Sequence, residues 1–170
     1  MKKFCVLFCF FAVLLVSAVA CSGNAEEPNI NTVAVISKLS EEQYDDIGTN
    51  GLENQTIDDF RKLTFKFKME HSHGKSPKVN FPEDTSWKQA INSIDDIDRY
   101  WFGEFSKHDG DTKNAASYNG QFVFYSKGLS EDEMRKAFVS TIINVAWTTE
   151  EGNSYEKEYI ISDLIEFDNK

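Results

Sequence analysis

The chain has 170 residues, with 28 acidic and 18 basic side chains and a formal net charge of −10 at pH 7. This acidity argues against nucleic acid as a partner, because nucleic-acid binding depends on neutralising phosphates with lysine and arginine. All three cysteines, Cys5, Cys9 and Cys21, lie in the first 21 residues, so the rest of the chain has no disulfide or cysteine metal site and has to rely on a hydrophobic core.

The first 20 residues have the pattern of an export signal. Lys2 and Lys3 precede an apolar stretch over residues 4–16, and small residues then lead up to Cys21. A positive start, an apolar stretch of this length and a small-residue exit are typical of a secretory signal. The stretch is short for a membrane span, which needs roughly 20 residues, although an uncleaved anchor that extends through residues 17–20 is the alternative.

The segment AVAC, which ends at Cys21, resembles the lipobox of bacterial lipoproteins, with alanine at position 18 where the family usually has leucine. The resemblance covers residues 1–21 and implies that residues 1–20 are removed as a signal peptide. It further implies that Cys21 carries a covalent diacylglycerol and an N-acyl chain, which hold a protein on a bilayer more firmly than a single chain does. The location that it implies is extracytoplasmic, on a bacterial cell membrane or outer membrane.

The residues that follow divide into a tether and a predicted domain. Residues 21–31 are small, polar and rich in breakers, which is typical of a flexible tether. Residues 32–170 suit a single β-rich globular domain in length. Residues 63–70 alternate strictly between apolar and polar side chains, which predicts a strand with one buried face. Weaker signals in the first half predict an edge strand at residues 32–36 and a strand at 79–81. The capping box at Ser40 predicts a short helix or helical turn through Asp46, which Gly48 ends, and a loop follows at 49–55.

The second half of the domain contains a helix signal and a hairpin signal. Apolar residues at helical spacing predict a helix over residues 85–94. Two β-rich runs, at residues 141–148 and 155–162, flank a turn that contains Gly and Asn, and so predict a hairpin. The other predictions are a strand at 97–105, a polar loop at 107–120, a strand at 121–126, a short helix after the capping box at Ser130 and a last strand at 164–167.

This order of elements favours a mainly β fold of the β-rich α+β kind. Strands and helices do not alternate regularly, which disfavours a parallel doubly wound sheet. The number and patterning of the strands favour an antiparallel immunoglobulin-like sandwich with two or three short helices in its connections.

Two polar segments contain residues that suit a metal ion. His71 and His73 are two residues apart, so on a continuing strand both imidazoles point to the same side and form a candidate metal pair. Asp109 and Asp111 flank a glycine, and closely spaced oxygen ligands of this kind suit Ca²⁺. For the histidines the alternative is a polar loop end, and for the aspartates it is a solvated turn, since Asp and Gly are ordinary turn formers.

Tyr100 and Trp101, with Asp98 beside them, are candidate ligand-binding residues. Alternation along a strand sends Trp101 to one side and its neighbours to the other. At least one aromatic ring therefore faces away from the main core, unless a helix covers that side. Burial in the core is the alternative, because aromatic rings supply much of the buried area of small domains.

The sequence has no familiar catalytic motif. It contains no G-x-S-x-G elbow, no S-x-x-K motif and no glycine-rich phosphate loop. The expected function is that of a non-enzymatic, membrane-anchored module that binds a protein or another component of the cell envelope. An envelope glycan-binding module and a small envelope hydrolase with scattered catalytic residues are the alternatives.

Overall fold

The computed structural model describes residues 27–48, 52–70, 75–95, 97–108 and 115–169, and in these ranges the chain is mainly β. The predicted signal segment and Cys21 lie outside the described residues, as do His71, His73, Asp109 and Asp111. The strands are β1 Asn29–Ser37, β2 Phe60–Glu70, β3 Lys75–Asn80, β4 Tyr100–His108, β5 Ala115–Tyr125, β6 Ile142–Thr148, β7 Ser154–Ile160 and β8 Ile165–Asp168. The helices are α1 Glu41–Asp46, α2 Asp84–Asn92, α3 Glu131–Lys136 and α4 Ile161–Leu164, with a 3₁₀ turn at Ile57–Asp59.

The strands form two sheets with an immunoglobulin-like order. One sheet has the order β4-β5-β2-β1-β8 and the other has the order β3-β6-β7. Strands 1, 2, 5 and 4 in one sheet and 3, 6 and 7 in the other are the arrangement of the constant-type immunoglobulin sandwich. All neighbours are antiparallel except β1 and β8, which pair in parallel, so β8 is an addition to that arrangement. The predicted fold class is therefore confirmed.

Local sequence signals explain where several of these elements begin. The capping box at Ser40 is present at the start of α1: the backbone N–H of Gln43 donates to the Ser40 hydroxyl over 3.2 Å, and the Gln43 side chain accepts from the Ser40 N–H over 3.1 Å. The capping box at Ser130 is formed in the same way with Glu133 at the start of α3. After α1 the chain turns at Gly48, which has a φ of +57°, a conformation that glycine adopts without steric cost.

The main core lies between the two sheets. The apolar positions of the alternating pattern in β2 are all buried, as predicted, and so are those of β6. Between the sheets, the fully buried ring of Trp87 on α2 packs against Phe65 of β2 and Phe138 after α3, with ring centroids 5.3 and 6.0 Å apart. The helices in the connections therefore add aromatic side chains to the core that the strands enclose.

Four predictions about elements need correction. Residues 32–36 do form a strand, but β1 is an interior strand because β8 pairs with its outer side. β1 begins at Asn29, so the last three residues of the predicted tether belong to it. Much of the predicted loop at 107–120 is strand, because β4 continues to His108 and β5 already begins at Ala115. On β7 the predicted apolar face is incomplete, since Tyr155 is exposed and Ile161 belongs to α4.

None of the helices in the described ranges is long and apolar enough to cross a bilayer.

Candidate functional site

A groove lies on the face of the five-stranded sheet that is turned away from the main core. Its larger part is a hollow of about 440 Å³ between α1 and strands β2, β5 and β4. A second hollow of about 240 Å³ continues along the same strands and shares Glu104 and Gln121 with the first. We call the two hollows together the outer groove. Its side chains come from α1 (Gln43, Asp46), β2 (Lys62, Thr64, Lys66), β4 (Phe102, Glu104, Ser106) and β5 (Asn119, Gln121, Val123).

The strand register arranges the floor of the outer groove in three rows. Antiparallel partners have side chains on the same face of a sheet, so each row runs across β2, β5 and β4. Phe102 at one end and Ser106 at the other are four residues apart on β4, which makes the floor about 14 Å long. The rows are Lys62, Val123 and Phe102; Thr64, Gln121 and Glu104; and Lys66, Asn119 and Ser106.

A small aromatic cluster holds α1 over one end of this face. Phe60 of β2 is fully buried although it lies on the outer face, because Tyr44 of α1 and Trp101 of β4 cover it, with ring centroids 5.9 and 5.6 Å away. The hydroxyl of Tyr44 also donates a hydrogen bond to the carbonyl of Gln55, over 3.3 Å. These contacts position the two side chains that α1 contributes to the outer groove, Gln43 and Asp46.

A bulge in β4 determines which aromatic side chain is exposed. The register of β4 against β5 shifts between Tyr100 and Phe102, so the intervening Trp101 is an extra residue on β4. The indole N–H of Trp101 donates to the carbonyls of Ile47 and Gly48, over 2.9 and 3.1 Å, and so satisfies backbone groups at the end of α1. Phe102 is 49% exposed and borders the outer groove.

The three residues predicted to bind a ligand do not meet in one place. Tyr100 turns towards the main core, where its ring is 5.6 Å from that of Phe122, whereas Trp101 turns outwards and lies under α1. Asp98 is exposed, and its carboxylate accepts a hydrogen bond from the side chain of Asn92. Ligand binding by these residues stays a prediction, but Tyr100 and Trp101 do not share a stacking surface.

The residues predicted to hold a metal ion are mostly outside the described ranges. Of the three histidines only His108 is described, and it is exposed at the end of β4. Among the described residues, no group of three histidine, aspartate or glutamate side chains is placed to hold a metal ion. Metal binding at His71, His73, Asp109 and Asp111 therefore stays a prediction.

The polar side chains of the outer groove were not predicted to form a site, because the pairing of β4 with β5 that brings them together was not predicted from the sequence. Glu104 and Gln121 are neighbours across β4 and β5, and the amide of Gln121 donates a hydrogen bond to the carboxylate of Glu104. Because residues 107–120 were predicted to form a loop, most of the β4–β5 hairpin that brings Glu104 and Gln121 together was not predicted. Alternation from Phe105, an apolar residue that packs on the core, was the available signal: it assigns Phe102, Glu104 and Ser106 to the other face.

Gly103 beneath the outer groove has no room for a side chain. A Cβ atom at this position would collide with the Cβ atom of Phe122 and lie 2.7 Å from the carbonyl oxygen of Gln121 and 2.8 Å from the hydroxyl of Tyr100. Gly103→Ala is therefore expected to lower the free energy of unfolding by about 2 kcal/mol, because β4 has to move away from β5. Urea denaturation is the measurement, with Ser106→Ala, an exposed position on the same strand, as the control. Equal stabilities of the two variants would show that β4 is free to shift.

Comparison of the chain with models of known protein families, with curated proteins and with solved structures finds no match. Assignment of a function therefore rests on the sequence and on the geometry of the outer groove.

Proposed function

We propose that this protein is an exported, lipid-anchored binding module of the bacterial cell envelope, and that the outer groove is its binding site. The observation that carries the binding proposal is a hollow of about 440 Å³ on the face of the sheet, bordered by the half-exposed ring of Phe102. A concave site with an exposed ring and a few convergent polar groups is the usual form of a ligand site. The partner is a protein or another component of the envelope.

The position of the groove along the strands supports this proposal. β1 begins at Asn29, directly after the segment that joins the domain to Cys21, and it ends at Ser37, just before α1. Eight residue steps separate these two ends, which is about 27 Å in an antiparallel strand. The end of the outer groove under α1 therefore lies far from the point at which the tether enters the domain. An anchored domain is then free to present that end to a partner.

The lipid anchor is tested by labelling cells that express the full chain with radioactive palmitate. Cys21→Ala is expected to abolish labelling and to block maturation, so that the protein keeps the size of the precursor on a gel, because Cys21 is the acceptor that the lipobox resemblance implies. Cys9→Ala is the matched control, since it removes a cysteine of the apolar stretch without changing the acceptor. Unchanged processing of Cys21→Ala would instead favour an uncleaved anchor.

The binding site is tested by capture of envelope components with the full chain in detergent. Phe102→Ala is expected to reduce capture about tenfold, since the loss of about 1.4 kcal/mol of ring contact corresponds to that factor. Val139→Ala, which is exposed after α3 and away from the groove, is the control. Equal capture by the wild type and Phe102→Ala would contradict the proposal that the outer groove is the binding site.

A further inference from the structure

We propose that the outer groove binds an uncharged, hydroxyl-rich glycan chain. This inference rests on the binding function proposed above and names the chemical class of its ligand. Three properties of the groove carry it: its charge balance, the composition of its floor and its one exposed aromatic ring.

The charges of the outer groove cancel although the chain as a whole is strongly acidic. The formal net charge of the chain is −10, but the groove contains two lysines, Lys62 and Lys66, and two carboxylates, Asp46 and Glu104. A cationic partner would meet the two ammonium groups, and an anionic partner would meet the two carboxylates. Like charges opposed across an interface disfavour both partners. An uncharged ligand avoids both penalties.

The floor of the groove provides donors and acceptors of the kind that hydroxyl groups need. Asn119 and Gln121 carry amides, which donate and accept together, and Thr64 and Ser106 carry hydroxyls, which do the same. Asn119, Gln121 and Ser106 are exposed. A sugar hydroxyl is itself both a donor and an acceptor, so it is able to bond to an amide, a carboxylate or an ammonium group. A peptide backbone offers fewer such groups to a sheet face whose own backbone bonds are already used within the sheet.

Phe102 supplies the apolar surface on which a sugar ring can rest. Its ring is 49% exposed and lies in the same row of the floor as the buried side chain of Val123, next to the row that contains Glu104 and Gln121. A single aromatic surface beside polar groups fits an amphipathic sugar ring. The central patch of a protein–protein interface, by contrast, is depleted of charged residues and enriched in several aromatic anchors. The outer groove has two lysines, two carboxylates and one exposed aromatic ring, so its composition favours a glycan over a protein.

The experiment uses envelopes of the native host as the probe, left untreated, oxidised with periodate or digested with protease. Periodate cleaves vicinal diols in sugars, and protease removes polypeptide. Full chain in a detergent without a sugar head group is incubated with each preparation, and the bound fraction is measured at 0.1 M and 0.5 M salt. We expect periodate to reduce binding about tenfold, protease to leave it unchanged, and the higher salt to change it less than twofold, because the ligand carries no charge.

Two variants connect the result to the groove. Phe102→Ala and Gln121→Ala are each expected to reduce binding to untreated and protease-digested envelopes, and Val139→Ala is expected to leave it unchanged. If the binding that these two variants reduce is lost after protease but not after periodate, the inference of a glycan ligand is overturned and the binding-module proposal remains intact. A steep decrease with salt would point to a charged ligand and would also overturn the inference. Equal binding by all the variants would overturn both proposals.

Discussion

Trp87→Ala is expected to lower the free energy of unfolding by about 4 kcal/mol, the largest effect of any single truncation that we predict. The side chain of Trp87 is fully buried and lies at the centre of the aromatic core. Its removal leaves a cavity lined by rings from four other elements or connections, and close-packed rings relax only partly into such a space. The rings within contact of it are those of Phe65, Phe105, Tyr118, Phe122 and Phe138.

The measurement for Trp87→Ala is urea denaturation followed by circular dichroism, with Val139→Ala as the control. Val139 is 55% exposed, so its truncation is expected to change stability by less than about 0.5 kcal/mol. Trp87→Phe tests the cavity explanation separately, because it keeps a ring in the space and is expected to have a smaller effect than Trp87→Ala. Equal losses in Trp87→Phe and Trp87→Ala would contradict an explanation based on the size of the cavity.

The sequence contains the local part of this fold. The alternation in residues 63–70 predicts both the strand β2 and its buried face, because side chains of a strand with one wet side have a period of two. The boxes at Ser40 and Ser130 predict the starts of α1 and α3, because a capping box is formed by residues three positions apart. Each of these predictions depends on neighbours along the chain, and each is confirmed.

Local patterns of this kind do not predict which segments pair when they lie far apart in the sequence. Nothing in residues 32–36 indicates that the last strand, β8, pairs beside them in parallel, since the two segments are more than a hundred residues apart. The polar character of residues 107–120 predicted a loop because it resembles loop composition. In the fold, however, β5 faces solvent with one side, so Ser117 and Asn119 are the polar outward residues of a strand. Polar composition therefore does not distinguish a loop from the wet face of a sheet.

The candidate site shows the same limit. At least one aromatic ring of this segment was predicted to face away from the main core unless a helix covers that side, and α1 is the helix that covers Trp101. The covering contact depends on Phe60, which is distant in sequence from both Trp101 and α1. The bulge that places Phe102 beside the outer groove is a feature of the pairing of β4 with β5, and local alternation around residues 100–102 does not predict it. The half-exposed ring of this segment is therefore Phe102, which follows the two aromatic residues that were predicted to bind a ligand.

Arg99→Ala is expected to lower the free energy of unfolding by about 3 kcal/mol, because it removes a buried guanidinium group that joins the segment before β4 to the end of β5. Arg99 is 2% exposed and donates two hydrogen bonds to the carboxylate of Asp95, over 2.9 and 2.6 Å. The same guanidinium donates to the carbonyls of Tyr125 and Lys127, over 2.8 and 3.2 Å. It thus connects the segment before β4 to the end of β5. Without it, those two carbonyls lose a donor.

Arg99→Lys separates the contribution of charge from that of geometry. Lysine keeps the positive charge but lacks the planar fork, so it is unable to bond to both carboxylate oxygens and both carbonyls at once. The stability of Arg99→Lys is therefore expected to lie between those of the wild type and Arg99→Ala in urea denaturation. If Arg99→Lys is as stable as the wild type, charge alone explains the effect and the fork is unimportant.

The contribution of this pair is expected to depend on pH in a direction set by Asp95. The hydrogen bonds from Arg99 hold the pKa of Asp95 below its ordinary value of 3.8. A carboxylate with a lowered pKa in the folded state stabilises the fold fully above its unfolded pKa, and this stabilisation is lost as the pH falls through the lower, folded pKa. The stability difference between the wild type and Arg99→Ala should therefore be constant from pH 7 to pH 5 and narrow progressively below 3.8. Asp59 also has a lowered pKa, but Arg99 is not among the causes, so the titration of Asp59 cancels in this difference. The pKa of Glu133 is lowered mainly by hydrogen bonds from Ser130, which both proteins keep, and to a smaller extent by the charge of Arg99, so its contribution narrows the difference in the same direction. A difference that stays constant down to pH 2.5, or grows, would show that the two carbonyl contacts rather than the ion pair account for the stabilisation by Arg99.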